Sequence, residues 1–359
     1  MLEELLMNFL DRVLDPPSYG YTRDGKHYVP THAEIWKEFF TRLNLFKSKK
    51  NWLPFFSWFT VLFFAPFFFA FFFHYFTWKL FLISFIYSMV ILGTHGTIYL
   101  HRYATHHAFT FKNKGWLFIV RQLVIKLIPE EVYVVSHHVH HYISEKPGDP
   151  YNVYGGWLYC FLADVNHQAI ARNFTPEEYT RAAALVRHTG VRVNSYAQYL
   201  KWGSICHPFW TVLHFFLNWA FWFTIFYLIG GMPLACAIFG GAAFWAVGVR
   251  TYNYSGHGGG KDLRKEGDDF DRTNLSINQL WPGLVTGEWH NNHHLYPNGI
   301  RAGFLPYQWD YAWLFICFYR SIGGIDTWRD HKDQFYANHY EPYLKQKAME
   351  QTQAETVKP

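Results

Sequence analysis

Residues 80–107 read LFLISFIYSMVILGTHGTIYLHRYATHH. From Leu80 to Leu100 the stretch carries no charge, and it then runs without a break into His101, Arg102, His106 and His107. As a helix rising 1.5 Å per residue the uncharged part covers about 30 Å, the thickness of a bilayer's hydrocarbon core. Polar, metal-competent side chains at the end of such a run stand at a membrane edge. A companion run precedes it, WLPFFSWFTVLFFAPFFFAFFF from Trp52 to Phe73, also uncharged and about 33 Å long as a helix. Two more follow, Phe209 to Ile229 and Met232 to Val249, divided by Gly230 and Gly231 with Pro233 just beyond. Pro54 and Pro66 kink the first run without disqualifying it, since spanning helices tolerate proline. The apolar segments therefore come as two hairpins of two spans each.

Composition agrees. Charged residues are 16% of the 359, below the roughly 25% of an average soluble chain, while aromatics reach 21%. Mean hydropathy is nevertheless −0.10, so apolar residues are concentrated in segments with polar protein between them. Apolar content excludes disorder for most of the chain, and four scattered cysteines exclude a disulfide-stapled domain. The 32 basic and 27 acidic residues show no one-faced basic density, so no nucleic-acid partner is expected.

Charges beside the spans set the orientation. Lys47, Lys49 and Lys50 precede the first span; Arg102, Lys112 and Lys114 follow the second; Arg192 and Lys201 precede the third. Lys79 is the lone charge at the hairpin tips. Both tips are expected to face away from the cytoplasm, with both termini and everything between the hairpins inside. The expected organisation is a cytoplasmic segment 1–50, a transmembrane hairpin 51–100, a cytoplasmic region 101–208, a second hairpin 209–250, a cytoplasmic region 251–343 and a polar tail 344–359 expected to fray. The opening MLEELLMNFLDRVLDPP reads as an acidic amphipathic helix without the basic n-region of a signal peptide. Leu117 to Ile128 and Phe304 to Tyr319 are apolar but interrupted by charge, and read as interfacial or packed amphipathic helices.

Histidines gather in four places: His101-Arg-Tyr-Ala-Thr-His106-His107 after the second span, His137-His138-Val-His140-His141, Asn253-Tyr-Ser-Gly-His257 after the fourth, and His290-Asn-Asn-His293-His294. HxxHH spacing puts histidines at i, i+3 and i+4, on one helical face. His101 and His106 lie about 140° apart on an ideal helix, so one of them should stand where that helix ends. Neutral imidazole is the commonest metal-ligating side chain, and nine or more converging histidines exceed what one cation takes, so two metals are expected. His107 and His138 are spare in the spacing. Lone histidines such as His95 and His214 read as packed core residues. No HExxH is present, against a zinc hydrolase, and no Glu-x-x-His, against a carboxylate-bridged ferritin-like site. The remaining reading is a redox-active dimetal centre acting on a lipid substrate at the membrane edge. The fold expected is thus an all-α integral membrane protein: four transmembrane helices in two hairpins, with a helical cytoplasmic cap carrying a polyhistidine dimetal site.

The order HRYATH (101–106), HHVHH (137–141), NYSGH (253–257) and HNNHH (290–294), interleaved with two membrane hairpins, resembles the membrane fatty-acyl desaturase family, nearest to its stearoyl-CoA or delta-9 branch. The resemblance runs from about Trp52 to Pro306 and includes Asp149-Pro150 and Gly287-Glu288. It implies a di-iron site ligated by His101, His106, His137, His140, His141, His257, His290, His293 and His294, with Asn253 holding a water on one iron. It implies O2-dependent insertion of a cis double bond into a saturated acyl chain, held in a kinked tunnel lined by the second and fourth spans. The acyl carrier would be CoA, a carrier protein or a phospholipid.

His138 stands where the family often has Arg, so His137 and His138 compete for one ligand role. Asn-Tyr-x-x-His is shared with integral-membrane alkane hydroxylases, whose other boxes are missing. A non-haem di-iron hydroxylase is therefore the alternative, and a metal-binding membrane transporter a more distant one. His207-Pro208 continues with Phe209, so the His-Pro-Gly-Gly of a fused cytochrome b5 domain is absent. Electrons are expected from a separate ferredoxin, rubredoxin-like protein or cytochrome b5 with its reductase. Gly256 to Lys261 resembles a phosphate loop but reads as a turn after His257, and Glu145 and Asp149 read either as acceptors behind ligand imidazoles or as surface carboxylates at a turn.

Overall fold

The computed structural model describes residues 9–162, 169–280 and 289–356. The opening residues of the expected N-terminal helix, His167 and Gly287-Glu288 lie outside the described residues. The fold is built mostly of helices, and among the described residues three are long and apolar enough to cross a membrane: α1 (Lys49–Tyr75), α2 (Trp78–Thr105) and a run covering Pro208–Gly256. Ser48 caps the start of α1, whose path breaks after Leu62 and restarts at Ala65 with Pro66 in the first turn, as proline geometry requires.

After α2 come α3 (Lys114–Gln122) and α4 (Glu130–Tyr142) and, beyond shorter helices at Trp157–Phe161, Pro176–Arg187 and Tyr196–Trp202, the long α5 (Pro208–Gly248). Gly230 (φ −144°, ψ 19°) and Gly231 (φ 65°, ψ −167°) leave helical geometry inside α5. The chain folds back there: Phe223 and Phe239 stand with ring centroids 5.8 Å apart, where a straight helix would hold them about 24 Å apart. Both halves pack on α1, Trp219 stacking on Phe63 at 4.9 Å and Phe239 meeting Phe64 at 5.0 Å. Glycine lets the second half approach both neighbours. A Cβ on Gly240 would come within 2.7 Å of the Phe68 Cα, and one on Gly241 within 2.2 Å of the Ser84 Oγ.

The segment between α3 and α4 is non-helical yet wedged among the apolar helices. Irregular backbone survives there only if its polar groups are met by protein. Span side chains meet them: Asn218 Oδ1 accepts from the Lys126 N–H (2.9 Å), Trp219 Nε1 donates to the Lys126 carbonyl (2.8 Å), and Thr60 donates to the Leu127 carbonyl (2.8 Å). Tyr87 OH accepts from the Ile125 N–H at 3.2 Å, and His95 Nε2 bonds the Val120 carbonyl at 2.7 Å. His95 is therefore a packing residue, as expected for a lone span histidine. Beside it Arg121 and Lys126 converge on Glu130 at 2.8 and 2.7 Å, all buried.

Beyond α5 lie α6 (Tyr252–Gly256), α7 (His290–Leu295) and α8 (Tyr311–Ser321). Helices α3 and α8 show apolar faces to the outside, Phe118 and Ile119 on one, Leu314, Phe315 and Phe318 on the other. The structure departs from an all-helical reading in two small ribbons, Thr22–Arg23 with Lys26–His27 and Phe109–Phe111 with Ile325–Trp328; the second ties the exit of α2 to the exit of α8. The expected frayed tail is instead helical from Glu341 to Thr356, with Lys347 bridging Glu266 (2.8 Å) and Glu350 (3.0 Å).

Candidate metal centre

The last turns of α2, Thr97–Thr105, are wound as a π-helix. The His106 N–H donates to the His101 carbonyl five residues back, at 3.1 Å, and the two rings stand 4.9 Å apart. The wide turn narrows the 140° separation expected on an ideal helix, and His106 is also the residue at which the helix ends. His137, His140 and His141 come from the last two turns of α4. His257 stands just past α6, where Gly258, Gly259 and Gly260 all take positive φ and turn the chain away, as expected of that loop. A Cβ on Gly256 would come within 2.9 Å of the His290 ring. That glycine lets two histidine boxes touch.

Helix α7 is too short to form on propensity alone. Its two asparagines anchor it. Asn291 donates to the Asp271 and Ser276 carbonyls (2.9 and 2.8 Å) and accepts from the Asp271 N–H (2.9 Å). Asn292 donates to the Ala302 carbonyl (2.7 Å) and to Gln308 Oε1 (2.8 Å). Sequence reading passed over both, although their place between the histidines of HNNHH was a signal.

The nine histidines fall into two sets, within each of which one ring nitrogen per residue lies within 4.8 Å of all the others: His101, His106, His137, His141 and His293; and His140, His257, His290 and His294. Each HxxHH box is shared. Helix α4 sends His137 and His141 to the first set and His140 to the second; α7 sends His293 to the first and His290 and His294 to the second. The sets adjoin, with the His141 and His294 rings 4.4 Å apart. His137 belongs to the first set, whereas His138 turns aside with its buried Nε2 unpartnered. Asn253 lines a cavity beside His101, His137 and His290.

Nitrogen faces nitrogen throughout. His101 and His293 Nε2 are 2.9 Å apart, His293 and His141 2.8 Å, His290 and His257 3.0 Å. Metal–nitrogen bonds of about 2 Å put ligands on one ion about 3–4 Å apart, so the donor set fits two cations. Burial, reinforced by neighbouring imidazoles, holds His106, His137, His141, His290, His293 and His294 well below the ordinary histidine pKa. They are neutral, the form that binds metal.

Two carboxylates stand behind the second set. His140 Nδ1 donates to Asp149 (3.0 and 3.1 Å), which leaves its Nε2 buried with no hydrogen-bond partner. His257 Nδ1 donates to Glu145 at 2.7 Å, and the same oxygen accepts from the Leu275 N–H. Of the two readings of these acids, the acceptor role holds: each fixes the tautomer that aims Nε2 into the site. The cavity beside the sets runs from His101, His137 and Asn253 to Gly93, Gly96 and Trp245, with one wall from α2 and another from the second half of α5. A smaller cavity shares Gly96, Leu100, Ile128 and Trp245 with it and continues to Leu92 and Tyr99.

A family model described as Fatty acid desaturase matches residues 76–313. Delta-9 desaturase-like 1 protein of Arabidopsis thaliana is 35% identical over 104 residues, 29% of this chain and 33% of its own length. Delta-9 acyl-lipid desaturase 2 of Arabidopsis thaliana is 27% identical over 69% of this chain and 74% of its own. Acyl-CoA C20 Delta5-desaturase of Anemone leveillei is 28% identical over 69% of this chain and 73% of its own. Matched length thus varies from a third to about three quarters of these relatives, and their printed names differ in both bond position and acyl carrier.

Proposed function

Because this chain belongs to the fatty acid desaturase family, oxidoreductases acting on fatty acyl chains, we propose that it uses O2 and a di-iron centre to place a cis double bond, of the delta-9 type, in a saturated acyl chain. One observation carries the reading: nine imidazoles converge in two sets, and three of them, His101, His137 and His290, line a cavity that is also walled by Gly93, Gly96, Leu100, Ile128 and Trp245. Two irons held there would supply the oxidant for an unactivated C–H bond. Taking two hydrogens from the chain and reducing O2 to two waters needs four electrons; the chain gives two, and the other two come from a separate donor, a ferredoxin, rubredoxin-like protein or cytochrome b5 with its reductase.

The chain's own residues do the positioning. His101, His106, His137, His141 and His293 would hold one iron, His140, His257, His290 and His294 the other, with Asn253 directed at a water. Asp149 and Glu145 keep the Nδ1 protons of His140 and His257 in place, so their imidazoles need not reorganise when metal arrives. Gly93 and Gly96 leave room along α2 for an acyl chain, and Trp245 narrows the passage from the other side. Holding one C–H bond against the oxidant and excluding its neighbours fixes the product.

The reversal at Gly230–Gly231 supports a four-span arrangement in two hairpins. Positive charge at 47–50, 102–114 and 192–201 supports termini and metal centre on the cytoplasmic side. The polar regions 101–208 and 251–343 then form the cap over the bilayer. Histidines at the span ends rather than at midplane argue against a transporter.

The test is metal content and fatty-acid profile together, in iron-replete cells lacking their own desaturase. Two irons per chain and a new monounsaturated acid are expected, the bond position naming the regiochemistry. Hydroxylated lipid in place of an olefin would make the protein a hydroxylase on the same centre, and fewer than two metals after iron loading would overturn the reading.

A further inference from the structure

A groove beside α8 takes no part in the chemistry above. Arg301, Trp309, Trp313, Leu314, Lys332 and Tyr336 wall a space of about 370 Å³, and none of them lines the cavity at the histidines. Two cations reach it. The Arg301 guanidinium lies on the Trp313 ring at 3.8 Å and pairs with Asp330 at 3.0 Å, while its Nε is buried with no hydrogen-bond partner. Among the described residues the Lys332 ammonium has no carboxylate partner; it faces the Tyr336 ring at 5.8 Å. Asp310 also borders the groove, but its oxygens are taken by Arg102 and by the N–H groups of Ala302, Gly303 and Trp313. With Asp330 matched to one cation, the groove keeps one positive charge over, on Lys332. Phosphate oxygens suit it, being strong acceptors for ammonium and for the guanidinium beside it.

The rim indicates what carries the phosphate. Trp309, 61% exposed, and Leu314 pass into the exposed face of Phe315, Phe318 and Ile322. Helix α8 packs along α2 between Gly93 and Thr105, where that span enters its histidine box. Tryptophan at the edge of an apolar face, with cations just above, is the pattern of a headgroup boundary. A free phosphate gains nothing from that apolar lip; a lipid does.

We propose that the groove binds the phosphate headgroup of an anionic membrane lipid, whose chains lie over Leu314 and Phe318. The site depends on α8 lying at the membrane surface and not on desaturation, so it stands or falls separately from the reaction. Native mass spectrometry of the detergent-purified full chain, titrated with dioctanoyl phosphatidylglycerol, dioctanoyl phosphatidylcholine or inorganic phosphate, tests it. One saturable phosphatidylglycerol is expected, bound at least about fivefold more tightly than phosphatidylcholine, the order of one extra lysine or arginine contact. Exposed Lys332→Glu should erase that preference without changing the elution volume, and Arg301→Gln should weaken binding further. Equal binding of the two lipids, or phosphatidylglycerol binding unmoved in Lys332→Glu, overturns the site. Inorganic phosphate competing at the same concentration as the lipid overturns the lipid as its source.

Discussion

His101 and Arg102 are neighbours in sequence and both buried, yet they belong to opposite kinds of polar region. Arg102 is 1% exposed and meets Asp310, 2% exposed, through both carboxylate oxygens (3.0 and 2.8 Å), and it also donates to the Ile300 carbonyl. That pair is complete within the protein. On the histidine side, His106 Nε2 and His140 Nε2 are buried with no hydrogen-bond partner among the described residues, and ring nitrogens elsewhere meet one another at about 3 Å. A buried polar atom without a partner is a loss unless something arrives to bind it. One region holds the fold together, and the other waits for a ligand.

The sharpest way to break this contrast is to remove a histidine. His140→Ala or His294→Ala should bring acyl desaturation to background and lower bound iron, with the protein still folded; full activity in either purified variant would end the assignment. The opposite pattern is expected from Asp310→Ala. It strands the Arg102 charge, which costs about 3–5 kcal/mol, so the thermal midpoint should drop steeply, and the double variant Arg102→Met/Asp310→Leu should recover only part of it, because the Ala302, Gly303 and Trp313 N–H groups still lose their acceptor. Asp149→Asn and Glu145→Gln lie between, since they touch the site only through an imidazole. Iron affinity should fall about 10- to 100-fold with little change in melting, measured by competition with a chelator.

A further effect is in pH. Burial pushes the Glu131 carboxyl from 4.5 to about 7, although the Ile205 and Cys206 N–H groups pull it down. Its folded pKa is raised, so the folded state holds the proton longer; this contribution is full below about 4.5 and is lost as pH rises towards 7. Stability from this group should decline across that window in the native chain and stay flat in Glu131→Gln, by thermal melts at each pH.

Much of the site was legible because metal binding demands donors of one chemical type at short, helical spacings. The HxxHH boxes at 137–141 and 290–294 announce themselves for that reason, as do the glycines after His257, since positive φ narrows the choice of residue. The division of each box between two sets was not legible: i, i+3 and i+4 share a face, and only a second helix crossing at the right angle decides which member faces which neighbour. The π-wound end of α2 was invisible too, because nothing in TIYLHRYAT forbids an ordinary helix. Nothing local in the apolar runs marks Asn218, Trp219 and Thr60 as partners of the backbone at 123–129, which comes to lie against them only in the fold.

The chain by itself determined that it has long apolar segments, where they reverse, and that nine histidines stand at or beyond their ends. Hydrophobicity, glycine and ligand chemistry are local properties, and local sequence states them. Only the tertiary structure decided which imidazoles meet, that His137 rather than His138 joins the first set, and that Asp149 and Glu145 stand behind His140 and His257. Those are contacts between residues up to 192 positions apart, as between His101 and His293. They are fixed by how helices pack, which no single segment encodes.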